Sequence, residues 1–241
     1  MSLKGKKILV TGGAIRVGKA ISLGLAKHGA EVIINFNTSS DSAKETEQQI
    51  QALGSKAFLV QADLSDATSV NNMMEEIKEL GTIFAVINNA SIFENLSFAE
   101  TDIDSWNRNL QINLTAPFQI SQHFTKQLSP NQKGRIINIL DWRALRPGKD
   151  HFPYTISKAG LAGLTKAMAA ALAPNISVNG IAFGAILPPS DGGNADNLID
   201  EIPAGRWAEL EEVQNTIKFL LDGPEYITGE IIHLDGGRHL I

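Results

Sequence analysis

Tyr154 and Lys158 stand four residues apart at the head of an amphipathic segment, so on a helix both side chains leave the same face. An ammonium beside a phenol favours the phenolate and draws a pKa of about 10 toward the working range. A tyrosine placed in this way can give up a proton while a nearby carbon accepts a hydride. Far from this pair in sequence, residues 11–18 read TGGAIRVG, directly after a strand-like run and directly before a helical one. Glycines at such a junction allow a tight turn and bring backbone N–H groups and the positive helix end against a pyrophosphate. Cysteine is absent, which excludes a disulfide, a thiol nucleophile and a thiolate metal site. His28, His123, His151, His233 and His239 have no metal-ligand spacing and read as surface or helix-face residues, so no metal is expected.

The second strand-like run ends IINFNTSS. A carboxylate about 20 residues after the glycine turn would bind a free ribose 2′-hydroxyl and repel a 2′-phosphate. None stands between Val32 and Ser40. Asn35, Asn37, Thr38, Ser39 and Ser40 offer neutral hydrogen-bonding groups instead, with Lys44 one turn further on, a pattern that favours NADP(H). Ser39 or Ser40 also suits the N-cap of the next helix.

These residues need a frame. Residues 7–10, 31–36, 56–61, 84–87, 135–140, 176–182 and 230–234 read as strands. Helical periodicity occupies 17–28, 42–53, 67–80, 102–127, 154–173 and 209–221. Strand–helix alternation implies parallel strands joined by right-handed crossovers, hence a doubly wound α/β sheet of seven strands with helices on both faces. The nearly continuous apolar runs AFLV, FAVI and RIINIL suit a sheet covered on both sides. With 241 residues and no long linker, one domain over residues 1–241 accounts for the chain. The polar, glycine- and aspartate-rich stretch PPSDGGNADN opens a segment, 188–205, expected to be a substrate-binding loop.

The composition, 43% hydrophobic and 20% charged, is that of a globular protein, and a net charge of −5 argues against a general affinity for nucleic acid or acidic membrane. No apolar run approaches the roughly 18 residues of a membrane span, and MSLKGKKILV lacks a secretory pattern, so a cytoplasmic protein is expected.

The glycine turn resembles the TGxxxGxG fingerprint of the short-chain dehydrogenase/reductase family, whose fold is Rossmann-like. Gly12 and Gly18 match, and Arg16 stands where the middle glycine belongs. The resemblance extends over essentially the whole chain, through VNGIAFG and YITGEIIHLDGG. It implies a cofactor site formed by Gly12, Arg16, Val17, Gly18, Asn37, Thr38, Ser39, Asp63, Leu64, Asn89, Ala90, Ser91, Tyr154, Lys158, Gly184 and Ile186. It also implies that Asn113 holds a water for a proton relay to the lysine.

The family places a serine thirteen residues before the tyrosine, where this chain has Asp141. A hydroxyl donates to a carbonyl oxygen as it becomes negative, whereas an ionised carboxylate repels it. An aspartate suits a ring bearing N–H donors and a proton transfer through the tyrosine to a C=N nitrogen. Arg16, Phe93 and the Asp141–Tyr154–Lys158 set together resemble the pteridine reductase branch. On that resemblance Phe93 stacks on the substrate, Arg16 contacts substrate and cofactor phosphates, and Asp141, Tyr154 and Leu187 meet the substrate. Trp207 and Asp191 are further candidates. Two family features are missing, because Phe183 precedes Gly184 where a proline is usual and Pro188 occupies the place of a threonine.

The expected activity is therefore NADPH-dependent reduction of a pterin-like C=N substrate, dihydropterin or dihydrofolate. Alternatives are a carbonyl reductase of 3-oxoacyl or similar substrates, with Asp141 working protonated, and a non-catalytic NADP(H)-binding regulatory protein. The resemblance also implies a homotetramer.

Overall fold

Seven strands pair in parallel in the order β3-β2-β1-β4-β5-β6-β7. They are β1 (Lys7–Val10), β2 (Glu31–Phe36), β3 (Ala57–Gln61), β4 (Ala85–Asn88), β5 (Gly134–Asp141), β6 (Ile176–Phe183) and β7 (Ile231–Leu234). The structure, a computed structural model, describes residues 2–188, 199–200 and 202–241. Most of the segment 188–205 expected to bind substrate, Asp191 included, therefore lies outside the described residues.

The helices between the strands are α1 (Arg16–Lys27), α2 (Ser40–Ala52), α3 (Ala67–Glu79), α4 (Ile103–Leu110), α5 (Ala116–Gln127), α6 (Phe152–Leu172) and α7 (Leu210–Asp222). Strand residues alternate between two cores, as a period of two requires. Ile8, Val10 and Ile34 join Ile21 and Leu25 of α1 and Val213 and Ile217 of α7. Leu9, Ile33 and Val86 join Met74 of α3, Ile120 and Phe124 of α5 and Met168 of α6. Both faces are thus apolar and covered, which explains strands that read as unbroken hydrophobic runs.

One expected element divides. The pattern over 102–127 suggests a single helix, but α4 and α5 are separated by a π-helical turn, Gln111–Thr115. Two causes are local. Asn113 is fully buried, with its amide bonded outside its own helix to Ile92 and Ser157. Pro117 in the first turn of α5 has no N–H to continue the ladder.

The strand order reverses between β1 and β4, and the crevice beyond the carboxyl ends of strands at such a point is where doubly wound sheets bind ligands. The glycine turn follows β1, Asn89 follows β4, and Asp141 ends β5.

Candidate active site

Helix α6 carries the chemical pair. Tyr154 and Lys158 lie one turn apart and are buried, at 6% and 2% exposure. Lys158 Nζ donates to the Ile139 carbonyl of β5 at 2.8 Å, which holds the amine against the strand. The Tyr154 hydroxyl donates to Oδ2 of Asp141 at 3.2 Å. The other oxygen of Asp141 accepts the Arg143 backbone N–H at 2.8 Å, capping the short 3-10 turn Trp142–Ala144. The Arg143 guanidinium lies 3.7 Å from this oxygen and 3.0 Å from Asp150. Asp141 therefore serves the tyrosine with one oxygen and the arginine with the other.

Burial dominates the electrostatics. It raises the Asp141 pKa, against the opposing influence of the Arg143 N–H and guanidinium, the Tyr154 hydroxyl and the Lys158 charge. It lowers the Lys158 pKa from 10.5 to about 8, opposed by Asp141. The sequence expectation that Lys158 draws the phenol down is reversed here. Burial first, then the charge and hydrogen bond of Asp141, push Tyr154 well above the usual phenol value. Spacing places an ammonium beside a phenol, but it does not reveal that both are removed from water.

Phe93, on the loop after β4, is 52% exposed and meets the Tyr154 ring edge-on with centroids 4.6 Å apart. Asp141, Tyr154, Lys158 and Phe93 are thus brought together from three separate stretches of chain. Asn113 supports them indirectly. Its Oδ1 accepts from the Ser91 hydroxyl and the Ile92 N–H at 3.0 Å each, and its Nδ2 donates to the Ile92 carbonyl at 3.1 Å and to Ser157 at 3.0 Å. The side chain ties the Phe93 loop to α6, and its amide is engaged by protein groups on both ends.

Several of the expected cofactor residues meet beyond the carboxyl ends of β1, β2 and β4. Gly12 has φ of 60°, and a Cβ on Gly18 would stand 2.0 Å from the Gly12 carbonyl oxygen, so the turn requires glycine at both positions. Arg16 adopts φ of 51°, the left-handed conformation that a glycine takes without strain, and its Nη2 donates to the Pro188 carbonyl at 2.7 Å. The Arg16 side chain thus bridges the glycine turn and the segment after β6. Helix α1 starts beside Val17 with no side-chain cap and no acidic residue in its first turn, leaving N–H groups for an anion. Thr11 Oγ1 accepts from the N–H groups of Asn89 and Ala90 at 2.9 and 3.0 Å, and Asn89 Nδ2 donates to the Thr11 carbonyl at 2.8 Å. These bonds join the two lips of the crevice.

At the end of β2, Asn35 is buried and accepts from the Gly12 N–H at 3.3 Å, whereas Asn37 and Thr38 are exposed. Ser39 is the N-cap of α2 but makes no side-chain cap bond, so its hydroxyl is not committed to the helix. The Ser65 N–H and hydroxyl, with Asn37 contributing, hold the Asp63 carboxyl below its usual range. Leu64 points into the core at 6% exposure, as does Ile186 at 5%. Gly184 packs against Asp235, where a Cβ would meet the Asp235 Cα at 2.6 Å. Leu187, expected at the substrate, is half-buried against the main core, and Trp207 is half-buried. The donor set, a glycine turn with an uncapped helix start and a β2 end free of carboxylate, fits a dinucleotide bearing an additional phosphate.

Two residues near the site have surroundings that sequence reasoning did not anticipate, and one of them, His151, read there as a surface or helix-face residue, is half-buried. Arg143 follows Asp141 by two residues, its Nε is buried with no hydrogen-bond partner, and it faces Asp141, Asp150, Trp142 and Phe93. His151 stacks on Phe93. Its sequence signal is its position one turn before Tyr154. Among the described residues no cluster of three metal-binding side chains occurs and no helix is long and apolar enough to cross a membrane.

The family model for short chain dehydrogenases matches residues 6–197. The chain is similar to the 3-oxoacyl-[acyl-carrier-protein] reductase FabG of Staphylococcus epidermidis, at 33% identity over 98% of this chain and 99% of that protein. FabG of Aquifex aeolicus is 36% identical over 98% of each chain. Among solved structures it resembles FolM Alternative dihydrofolate reductase 1 from Brucella canis complexed with NADP, with a TM-score of 0.94 and 35% identity over 100% of this chain and 96% of that one.

Proposed function

The chain belongs to the short chain dehydrogenase family, and on that premise we propose that it is an NADP(H)-dependent reductase of a flat, pterin-like C=N substrate, with dihydropterin or dihydrofolate the class to try first. The observation that carries this reading is the 3.2 Å hydrogen bond between Tyr154 and Asp141 beside the exposed ring of Phe93. A carboxylate at this point accepts the N–H donors of an aminopyrimidine edge, which a serine hydroxyl matches less well. The FolM structure supports the substrate class, and its NADP supports the cofactor.

When bound, the reduced nicotinamide supplies a hydride to the C=N carbon. Asp141 orients the ring through its N–H groups, and Tyr154 passes its proton to the ring nitrogen, with Lys158 behind it to stabilise the phenolate that results. The turn from Gly12 to Gly18 and the start of α1 would hold the pyrophosphate, with Arg16 at the substrate side. Asn37, Thr38 and Ser39 would hold the 2′-phosphate side of the ribose, and Asp63 and Leu64 would flank the adenine. Asn89, Ala90, Ser91, Gly184 and Ile186 line the remaining wall. Asn113 positions the loop that carries Phe93.

A second reading is a carbonyl reductase of 3-oxoacyl substrates. It is favoured by the FabG relatives and by the buried position of Asp141, which raises its pKa toward a protonated form able to donate to a carbonyl oxygen. NADPH oxidation measured side by side with dihydrobiopterin and a β-ketoester decides between them. Turnover of the pterin supports the first reading, and turnover of the ketoester alone overturns it. If the wild-type chain binds NADP(H) but turns over neither substrate, it is instead a binding protein, and if Tyr154→Phe leaves the observed activity intact, Tyr154 is not the proton donor. We further read the chain as a homotetramer, supported by the exposed apolar side chains Ile103 of α4 and Phe118 of α5 and by the edge position of β7.

A further inference from the structure

His151 stacks on Phe93 with ring centroids 3.8 Å apart and planes 14° from parallel. Its Nδ1 lies 3.0 Å from the Glu94 carbonyl, so in the neutral ring this nitrogen carries the proton and donates it. Nε2 is turned toward Asp150, at 3.7 Å. The next residue, Phe152, donates its backbone N–H to the Leu96 carbonyl at 2.7 Å. The head of α6 therefore holds the Phe93 loop at two points, the Glu94 carbonyl through the His151 ring and the Leu96 carbonyl through the Phe152 N–H.

The His151 backbone has φ of 49° and ψ of 47°, a left-handed conformation that residues with a Cβ adopt rarely and glycine adopts freely. Strain of this kind persists where the surrounding structure maintains it and often marks a functional position. Here it sets an imidazole flat on an aromatic ring. Phe93 needs such support, because it is half exposed and an exposed side chain otherwise exchanges between rotamers in nanoseconds. Its other ring and cation neighbours are Tyr154, edge-on at 4.6 Å, and the Arg143 guanidinium, 5.7 Å from the ring centroid.

We propose that His151 is a positioning residue for the substrate: by stacking on one face of Phe93 it fixes that ring as an aromatic wall, and the flat heterocycle held by Asp141 and Tyr154 lies against the opposite face. The inference rests on the reading of the site as one for a planar C=N substrate. A substrate with a flat π-system gains from a rigid wall, whereas an acyclic ketone gains little. His151 itself exchanges no proton or electron in this role.

The test uses the full chain with NADPH and dihydrobiopterin, comparing wild type with His151→Gly and His151→Phe. Glycine suits the left-handed backbone and removes the ring, and phenylalanine keeps the stack while removing the nitrogens. Loss of one aromatic pair corresponds to about a five- to tenfold rise in the KM for dihydrobiopterin in His151→Gly. Its kcat and its KM for NADPH should stay within about twofold, because binding contacts shared by ground and transition state act on KM alone. His151→Phe should restore the KM to near wild type. An unchanged KM in His151→Gly, a parallel loss of kcat and NADPH binding, or failure of phenylalanine to rescue would each overturn the proposal. Wild-type enzyme that turns over a β-ketoester but no dihydropterin would instead overturn the functional reading, and this inference with it.

Discussion

Replacing Lys158 by methionine should abolish turnover and make the protein more stable. Lys158 is 2% exposed, and burial brings its pKa from 10.5 to about 8. That fall of about 2.5, at about 1.36 kcal/mol for each pKa unit, means that holding the ammonium inside the folded chain at pH 7 costs about 3 kcal/mol. Methionine has a similar unbranched shape and no charge, but it loses the hydrogen bond to the Ile139 carbonyl, worth about 1 kcal/mol. The net gain is about 2 kcal/mol, a rise in Tm of about 4–8 °C for a chain of this size.

The pH dependence has a definite sign. Below pH 8 both folded and unfolded chains hold the Lys158 proton, so the cost is present in full. Between pH 8 and 10.5 the unfolded chain keeps the proton while the folded chain has released it, so wild-type stability rises with pH relative to the variant. Urea unfolding of both proteins without cofactor, at pH 7 and at steps up to pH 10, measures the difference. A variant less stable than wild type at pH 7, or a gap that fails to narrow toward pH 10, would refute the reasoning.

Other consequences are independent of this one. Gly18→Ala places a Cβ 2.0 Å from the Gly12 carbonyl oxygen, so the turn must open. It should cost about 1–3 kcal/mol in urea unfolding and weaken NADPH binding roughly tenfold or more in a fluorescence titration. Asp141→Ser removes the acceptor for ring N–H groups and restores a hydroxyl donor. It should lower kcat/KM for dihydrobiopterin by about two orders of magnitude while raising activity on a β-ketoester, and equal losses on both would contradict the role of the carboxylate. NADP should raise Tm more than NAD at equal concentration, since no carboxylate at the end of β2 opposes a 2′-phosphate, and the reverse order would refute the reading of that segment.

Much of the frame was legible in sequence for a simple reason. β1 and β2 are apolar runs bounded by turn residues, and their limits match the pattern to the residue. β5 extends one residue beyond expectation at each end, and the added residue at its carboxyl end is Asp141, whose polar type hides its place in the strand. The π-helical turn at Gln111–Thr115 was not legible, because hydrophobic periodicity runs through it and its cause is a long-range bond from Asn113. At the site, spacing gave the Tyr154–Lys158 pair. Depth below the surface, which sets the direction of both their pKa values, is a property of tertiary packing. The contact of Phe93 with His151 joins residues 58 positions apart, which no local pattern encodes.

The account depends most on where a flat heterocycle sits. A crystal structure of the chain with NADP and methotrexate, an inert pterin-like ring, tests this directly. The predicted result is the ring between Phe93 and the nicotinamide, with its N–H edge within hydrogen-bond distance of Asp141 and Tyr154. A ring lodged elsewhere, or an Asp141 carboxyl turned away from it, would contradict the account.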